Sequence, residues 1–389
     1  EMWLLMAVLL LLQAPSSSEG ASKQKKALNP EALMNVSQII CHKGYPSEEY
    51  EVLTDDGYYI HLNRIPHGRE KPKNRGTPVV FLQHGIFGEG SHWVENLANN
   101  SLGFILADSG YDVWLANSRG TSWSRRHQHL SADQVEFWDF SFHEMAMFDL
   151  PAAIDFVLQK TGQKQLHYVG YSQGCTIAFI AFSSIPELAQ KVKMFFALAP
   201  AVSLKHSRSP LMKIFPGPVL PHSNGFLMKT RSSSSGSVTQ QWLLWETPGS
   251  CHSPPTCWKA PSVGFVSLQT RLDVYTSHYP DGTSVKNIIH WAQVGPLTHI
   301  HTPGMGPSLR ARDTPPLYPL EQMPVPTAVW SGGQDWAADW RDVLQLLPRI
   351  SHLVTYTHIP DWNHWDFVWG LDAPGRLYSS MLSLMEGSR

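Results

Sequence analysis

Charge bias is absent from this chain. Its 389 residues hold 30 Lys and Arg against 32 Asp and Glu, a formal net charge of −2. No long basic run occurs, which removes the electrostatic case for nucleic acid or an anionic membrane surface as a partner. Long apolar runs are scarce as well. Residues 3–12 form one, and no later run reaches the roughly 18 residues that a membrane-spanning helix needs, so no transmembrane segment is expected. Cysteines number four, Cys41, Cys175, Cys251 and Cys257. That limits disulfides to two and allows three pairings. Cys251 and Cys257 are close enough in sequence to bridge a loop, whereas Cys175 falls in an apolar helical pattern and reads as a small buried hydrophobe. Nothing in the pattern signals an oligomeric state.

Apolar material is plentiful. Hydrophobic residues make up 42% of the chain and tryptophans number 15. This is enough for a large core, and the length fits one large α/β domain carrying an insertion or two ordinary domains. Most tryptophans read as packing, with a pocket for an apolar substrate as the sharper use. The N-terminal apolar run leads into Gln13-Ala14-Pro15-Ser16-Ser17-Ser18. That resembles the apolar stretch and small-residue cleavage zone of a secretory signal over residues 1–20, although Glu1 and Met2 bring no positive charge. The sequons at Asn35 and Asn99 fit glycosylation in the secretory pathway.

Residues 21–203 read as the first part of an α/β core. A short helix is expected over 29–38, then two strands (49–53 and 58–65) joined by the hairpin signal Asp55-Asp56-Gly57. Continuous apolar strands follow at 78–82, 112–116, 166–169 and 193–201, as parallel strands require. Between them, helices are expected near 101–108 and from Ser141, whose Ser-x-x-Glu pattern is a capping box. That second helix is expected to stop near Phe148, with Pro151 opening another that runs to about Gln159. The alternation argues a doubly wound, mostly parallel sheet. From 204 to 318 the rhythm breaks into Ser, Pro and Gly, with order expected only around 273–275 and 283–293, which reads as an insertion over the functional face. Residues 319–389 resume the core, with strands at 325–330 and 353–357 around a helix at 341–347.

One stretch carries chemistry. A short strand runs into Gly170-Tyr171-Ser172-Gln173-Gly174, and an apolar helix follows. Strand, G-x-S-x-G and helix together mark a nucleophile elbow, where a strained turn exposes the serine hydroxyl above the strand ends. Such a serine needs a general base, and the base needs a carboxylate to set its tautomer. In this arrangement the acid and then the histidine follow the serine, each on a loop after a strand. Asp335 and His364 occupy those positions. Asp339 is the rival acid, lying further from its strand end. Asp361 and Asp366 flank the histidine and read as braces of its loop. His358 and His352 are rival bases, in or beside the last strand. An acyl-transfer oxyanion also needs N–H donors. Gln173 supplies one, and Ile86, after the strand ending in His84-Gly85, supplies the other.

Several segments together resemble the animal acid lipases, the family of gastric lipase, lysosomal acid lipase and epidermal lipase-like members. They include F-L-Q-H-G-I from Phe81, N-S-R-G from Asn117, H-Y-V-G-Y-S-Q-G from His167, H-W-A-Q from His290, V-W-S-G-G-Q-D-W from Val329 and D-F-V-W-G-L-D-A-P from Asp366. The resemblance covers about 29–201 and 272–385. It implies an α/β-hydrolase core with a cap, no metal or other cofactor, and hydrolysis of triacylglycerols or cholesteryl esters at a lipid–water interface. It places the triad on Ser172, Asp335 and His364 and the oxyanion donors on Ile86 and Gln173. It also implies export, with the lysosome lumen as the alternative destination. The chain departs from the family at Ile86, where Leu is usual, at Cys175, where Thr is usual, and over 215–269 and 294–315. Two other functions share the residue set: a short-chain esterase or thioesterase, and a non-catalytic lipid-binding relative.

Overall fold

The structure, a computed structural model, describes residues 28–70, 76–209, 226–227, 263–293 and 318–388. The expected signal segment and both Cys251 and Cys257 lie outside the described residues. In chain order the strands are β1 (Glu48–Leu53), β2 (Tyr58–Ile65), β3 (Val79–Gln83), β4 (Asp112–Asn117), β5 (Arg126–His127), β6 (Leu166–Tyr171), β7 (Val192–Leu198), β8 (Phe226–Leu227), β9 (Thr283–Ser284), β10 (Thr327–Gly332) and β11 (Leu353–Ile359). Nine of them form one sheet in the order β1-β2-β4-β3-β6-β7-β10-β11, with β5 paired to β2. The pairs β1–β2 and β2–β4 are antiparallel, and every pair from β4 to β11 is parallel. Each residue of β3, β4, β6 and β10 is buried, as expected of parallel strands packed on both faces. At the edge, β11 leaves Leu353 and Val354 exposed.

The strand order locates the crevice. The chain leaves β3 for β4 on one side, whereas it leaves β6 for β7 on the other. β3 and β6 are neighbours, so their carboxyl ends bound a topological switch point, where open α/β sheets bind ligands. The Gly85-Ile86 loop and Ser172 follow those two ends.

The helices that matter here are α1 (Val36–His42), α2 (Leu102–Asp108), α3 (Phe142–Glu144, continued through a π turn, Met145–Asp149, into Leu150–Thr161), α4 (Gln173–Ser184), α5 (Pro186–Ala189), α6 (Val263–His278), α7 (Val285–Gln293) and α8 (Trp340–Leu346). Three differ from the expectations. The segment 29–38 is not one helix: a 3-10 turn ends at Leu33, and Asn35 then caps α1, sharing a capping box with Gln38. The helix opened by the Ser141–Glu144 capping box does not stop near Phe148. Leu150 N–H reaches back to Met145 C=O, and this wider turn carries the helix past Pro151, which has no N–H to give. Gly162, at φ 71°, then ends α3. In the 204–318 connection, order extends well beyond 273–275. α6 runs from Val263 to His278, and β8 pairs with β9.

Candidate active site

β6 ends at Tyr171 and α4 begins at Gln173, so Ser172 alone makes the turn, at φ 54° and ψ −118°. An L-residue is held at positive φ only where its surroundings over-determine it. Here α4 is pressed against the end of β3. A side chain at Gly174 would collide with the carbonyl oxygen of Gln83, and one at Gly85 would come within 2.9 Å of Ser172 Cβ. The G-x-S-x-G spacing is therefore a close-approach requirement from β3 as well as a turn requirement.

His364 lies on the loop after β11. Its Nε2 is 3.0 Å from Ser172 Oγ, and its Nδ1 is 2.8 Å from Asp335 Oδ2. Asp335 is fully buried after β10, and its other oxygen accepts N–H bonds from Ala337 (2.9 Å) and Ala338 (2.7 Å). An ionised carboxylate only accepts, so His364 Nδ1 carries the proton and the Nε2 lone pair faces the serine hydroxyl. The histidine loop is braced from three sides. Tyr171 hydroxyl donates to His364 C=O at 3.0 Å, Asn363 N–H donates to Asp366 Oδ2 at 2.7 Å, and Trp365 N–H donates to Asn363 Oδ1 at 2.8 Å. Burial, with Asp372, Asp361 and Asp335 nearby, pushes the Asp366 carboxyl up to about 7.

The rival residues lie apart from this line. Asp339 caps α8 and pairs with Arg341, and Asp361 pairs with Arg376. His358 stays in β11 with its Nδ1 on Ser331 Oγ, and His352 is exposed, its carbonyl accepting from Thr327 N–H.

The Ile86 loop has a support that the motif did not reveal. His84 Nε2 accepts from Ser118 N–H at 3.0 Å, so its Nδ1 carries the proton and donates to Gly85 C=O at 2.7 Å. Burial lowers this imidazole to about 4, which keeps it neutral and the tautomer fixed. Phe87 has a φ of 59°, and its C=O accepts from Asp281 N–H at 2.7 Å. Gln173 is the first residue of α4, and first-turn N–H groups have no acceptor within their own helix.

A family model described as the alpha/beta hydrolase fold matches residues 78–371, and one described as a partial alpha/beta-hydrolase lipase region matches residues 36–97. The chain belongs to the α/β-hydrolase lipases. It is 49% identical to human "Lysosomal acid lipase/cholesteryl ester hydrolase" over 95% of this chain and 94% of that protein. It is 48% identical to mouse "Lipase member M" over 99% and 93% respectively. A thermophilic esterase from Thermogutta terrifontis shares the fold, with a TM-score of 0.53 at 15% identity, over 88% of this chain and 99% of the esterase. Family membership makes this lipase relative a carboxylic ester hydrolase.

Asn99 is exposed, and Asn35 is partly exposed, its Oδ1 accepting from Gln38 N–H. Cys175 is buried behind the elbow, its Sγ 3.0 Å from Gly170 C=O. Among the described residues no cluster of His, Cys, Asp or Glu could hold a metal ion, and no helix is long and apolar enough to cross a membrane.

Proposed function

We propose that this enzyme hydrolyses neutral lipid esters, triacylglycerols or cholesteryl esters, through an acyl-enzyme on Ser172. The observation that carries the proposal is the hydrogen-bonded line from buried Asp335 through His364 to Ser172 Oγ, at 2.8 and 3.0 Å, ending on a residue held at φ 54°. Ser172 Oγ attacks the ester carbonyl carbon while its proton passes to His364 Nε2. Asp335 stays ionised and stabilises the imidazolium. The carbonyl oxygen becomes an oxyanion, held by the N–H groups of Ile86 and Gln173. Collapse expels the alcohol, which takes the proton from His364. Water then gives a proton to His364 and attacks the acyl-enzyme. The second intermediate collapses, the fatty acid leaves, and the proton returns to Ser172 Oγ.

The substrate class is supported by relatives named for lipase and cholesteryl ester hydrolase activity, and a lysosomal location by the relative named lysosomal, with export the alternative. In this reading the 204–318 connection is the cap, and Asn35 and Asn99 are the glycan acceptors. Treatment with a fluorescent fluorophosphonate should label the wild type and not Ser172→Ala. Hydrolysis of an emulsified long-chain ester should rise above its solubility limit. Labelling without that rise would make the enzyme a soluble-ester esterase, and no labelling of folded wild type would remove the serine mechanism.

A further inference from the structure

The side chain of Gln173 points to a device the mechanism has not used. Its amide is buried. Its Oε1 accepts two hydrogen bonds, from Asn287 Nδ2 at 2.9 Å and Trp291 Nε1 at 2.6 Å, and its Nε2 faces Met145 Sδ at 3.6 Å. Asn287 and Trp291 are four residues apart on α7, hence on one face, and both are buried. We propose that Asn287 and Trp291 are positioning residues, which fix the Gln173 peptide so that its N–H points at the oxyanion. The proposal rests on the reading of Gln173 as an oxyanion donor.

The physical need is specific. At the first position of α4 no intrahelical bond restrains the Gln173 N–H. The preceding residue, Ser172, is strained, and the peptide between them is held at its carbonyl, which accepts from Cys175 N–H at 3.0 Å, while its N–H is left to the oxyanion. Pinning the far end of the Gln173 side chain with two donors opposes rotation of that peptide. Asn287 is pinned in turn, since its Oδ1 accepts from Phe142 N–H at 2.8 Å and its Nδ2 lies 3.1 Å from Thr283 Oγ1. His290 adds a contact from the same helix, with Nδ1 3.0 Å from Ser141 Oγ. α7 thus clamps the starts of α3 and α4 together. The same connection holds the other donor loop, where Asp281 N–H donates to Phe87 C=O and the Asp281 carboxylate is locked by Ser122 N–H and Oγ.

Two substitutions test the effect, and Trp291→Phe, which adds no charge, is the deciding one. Asn287→Asp keeps an acceptor for Phe142 N–H and removes the donor to Gln173. Trp291→Phe keeps the ring and removes one N–H. With a soluble short-chain ester and rates referred to titrated active sites, each should lower kcat about 5–10-fold, and the pair at most about 25–100-fold, with KM unchanged. A trifluoromethyl ketone, whose hemiketal oxyanion needs the same donors, should lose affinity by the same factor. Ile289→Ala, on the exposed side of α7, should change nothing. Where Asn287→Asp lowers the melting temperature, Trp291→Phe decides alone. Unchanged kcat per titrated site, or a loss confined to KM or to the fraction of titratable sites, would overturn the positioning role. Failure of the wild type to label at Ser172 would instead overturn the catalytic reading beneath it.

Discussion

The sheet and the β7–β10 connection contribute to the candidate active site in different ways. The sheet places the candidate reacting groups. Ser172, Asp335 and His364 each follow the carboxyl end of a strand, and they meet because β6, β7, β10 and β11 are consecutive neighbours. The connection reaches the Ser172 backbone, where Ala201 N–H lies 3.4 Å from its C=O. It also grips the surroundings of those three, at Gln173 through Asn287 and Trp291 and at Phe87 through Asp281. Chemistry placed by the sheet and geometry held by the connection should fail by different amounts when broken.

The largest effect should come from the sheet. Asp335→Asn keeps the size of the side chain but reverses one of its hydrogen bonds, favouring the wrong His364 tautomer. The expected loss in kcat is about 10⁴-fold, with KM little changed, as the corresponding change costs in a serine protease triad. Steady-state kinetics on a soluble ester checks it. A loss below about 10-fold would mean that Asp335 does not orient the base. Next should come Gly85→Ala. Its Cβ would sit 2.9 Å from Ser172 Cβ, so the serine or the Ile86 loop must move, at about 100-fold in kcat. Unchanged kinetics would show that the loop yields freely and that its position carries no catalytic weight.

A smaller effect belongs to the support of that loop. His84→Ala leaves Ser118 N–H and Gly85 C=O without the ring that joins them. A fall of about 10-fold in kcat is expected, together with a melting temperature several degrees lower, because two buried groups lose their partner. A lower melting temperature with unchanged kcat would make His84 a purely structural residue.

The same division explains what could be read in the sequence. The elbow, Asp335 and His364 were legible because strand ends recur in a pattern of apolar runs and breaks, and the template needs only chain order. The connection was not legible in that way. α6 carries a kink at Arg271, whose guanidinium is buried against the Glu31 carboxylate and the Glu95 carbonyl. A helix that turns a charge inward presents no clean apolar stripe. The bonds from Asn287 and Trp291 to Gln173 span 114 and 118 residues, a relation that no local pattern encodes. Local misreadings have local causes. Asn35 begins a helix inside a segment that reads as continuous, and a π turn carries α3 past a proline that would normally end it.

The smallest expected effect tests where the two regions touch. Glu89 and Glu95 lie behind the Ile86 loop. Glu89 accepts from Ser91 N–H and Trp123 Nε1, and Glu95 accepts from Ser91 Oγ and Trp369 Nε1. From the connection, His278 Nδ1 comes within 3.6 Å of Glu89, while Asp281 and Arg271 face the pair. Burial first, and then Asp281, raises Glu89 to about 7. Burial and then Glu89 raise Glu95 to about 8. The folded chain therefore holds protons that the unfolded chain releases near 4.5, so these groups make stability fall as pH rises toward their folded values. Buried His84 and His92, both lowered, act in the opposite sense, adding stability with rising pH only up to the unfolded histidine value of about 6.5. Above that pH the carboxyls act unopposed. The melting temperature should drop by a few degrees between pH 6.5 and 8. Glu95→Gln, which keeps an acceptor for Trp369, should remove most of the drop above pH 7, where Glu89 and Asp366 have already passed their midpoints. Calorimetry at the two pH values reads this directly. An unchanged slope in Glu95→Gln would mean that the seam between sheet and connection carries its charge already ionised, and that Arg271 compensates Glu95 more fully than a contact to its backbone carbonyl implies.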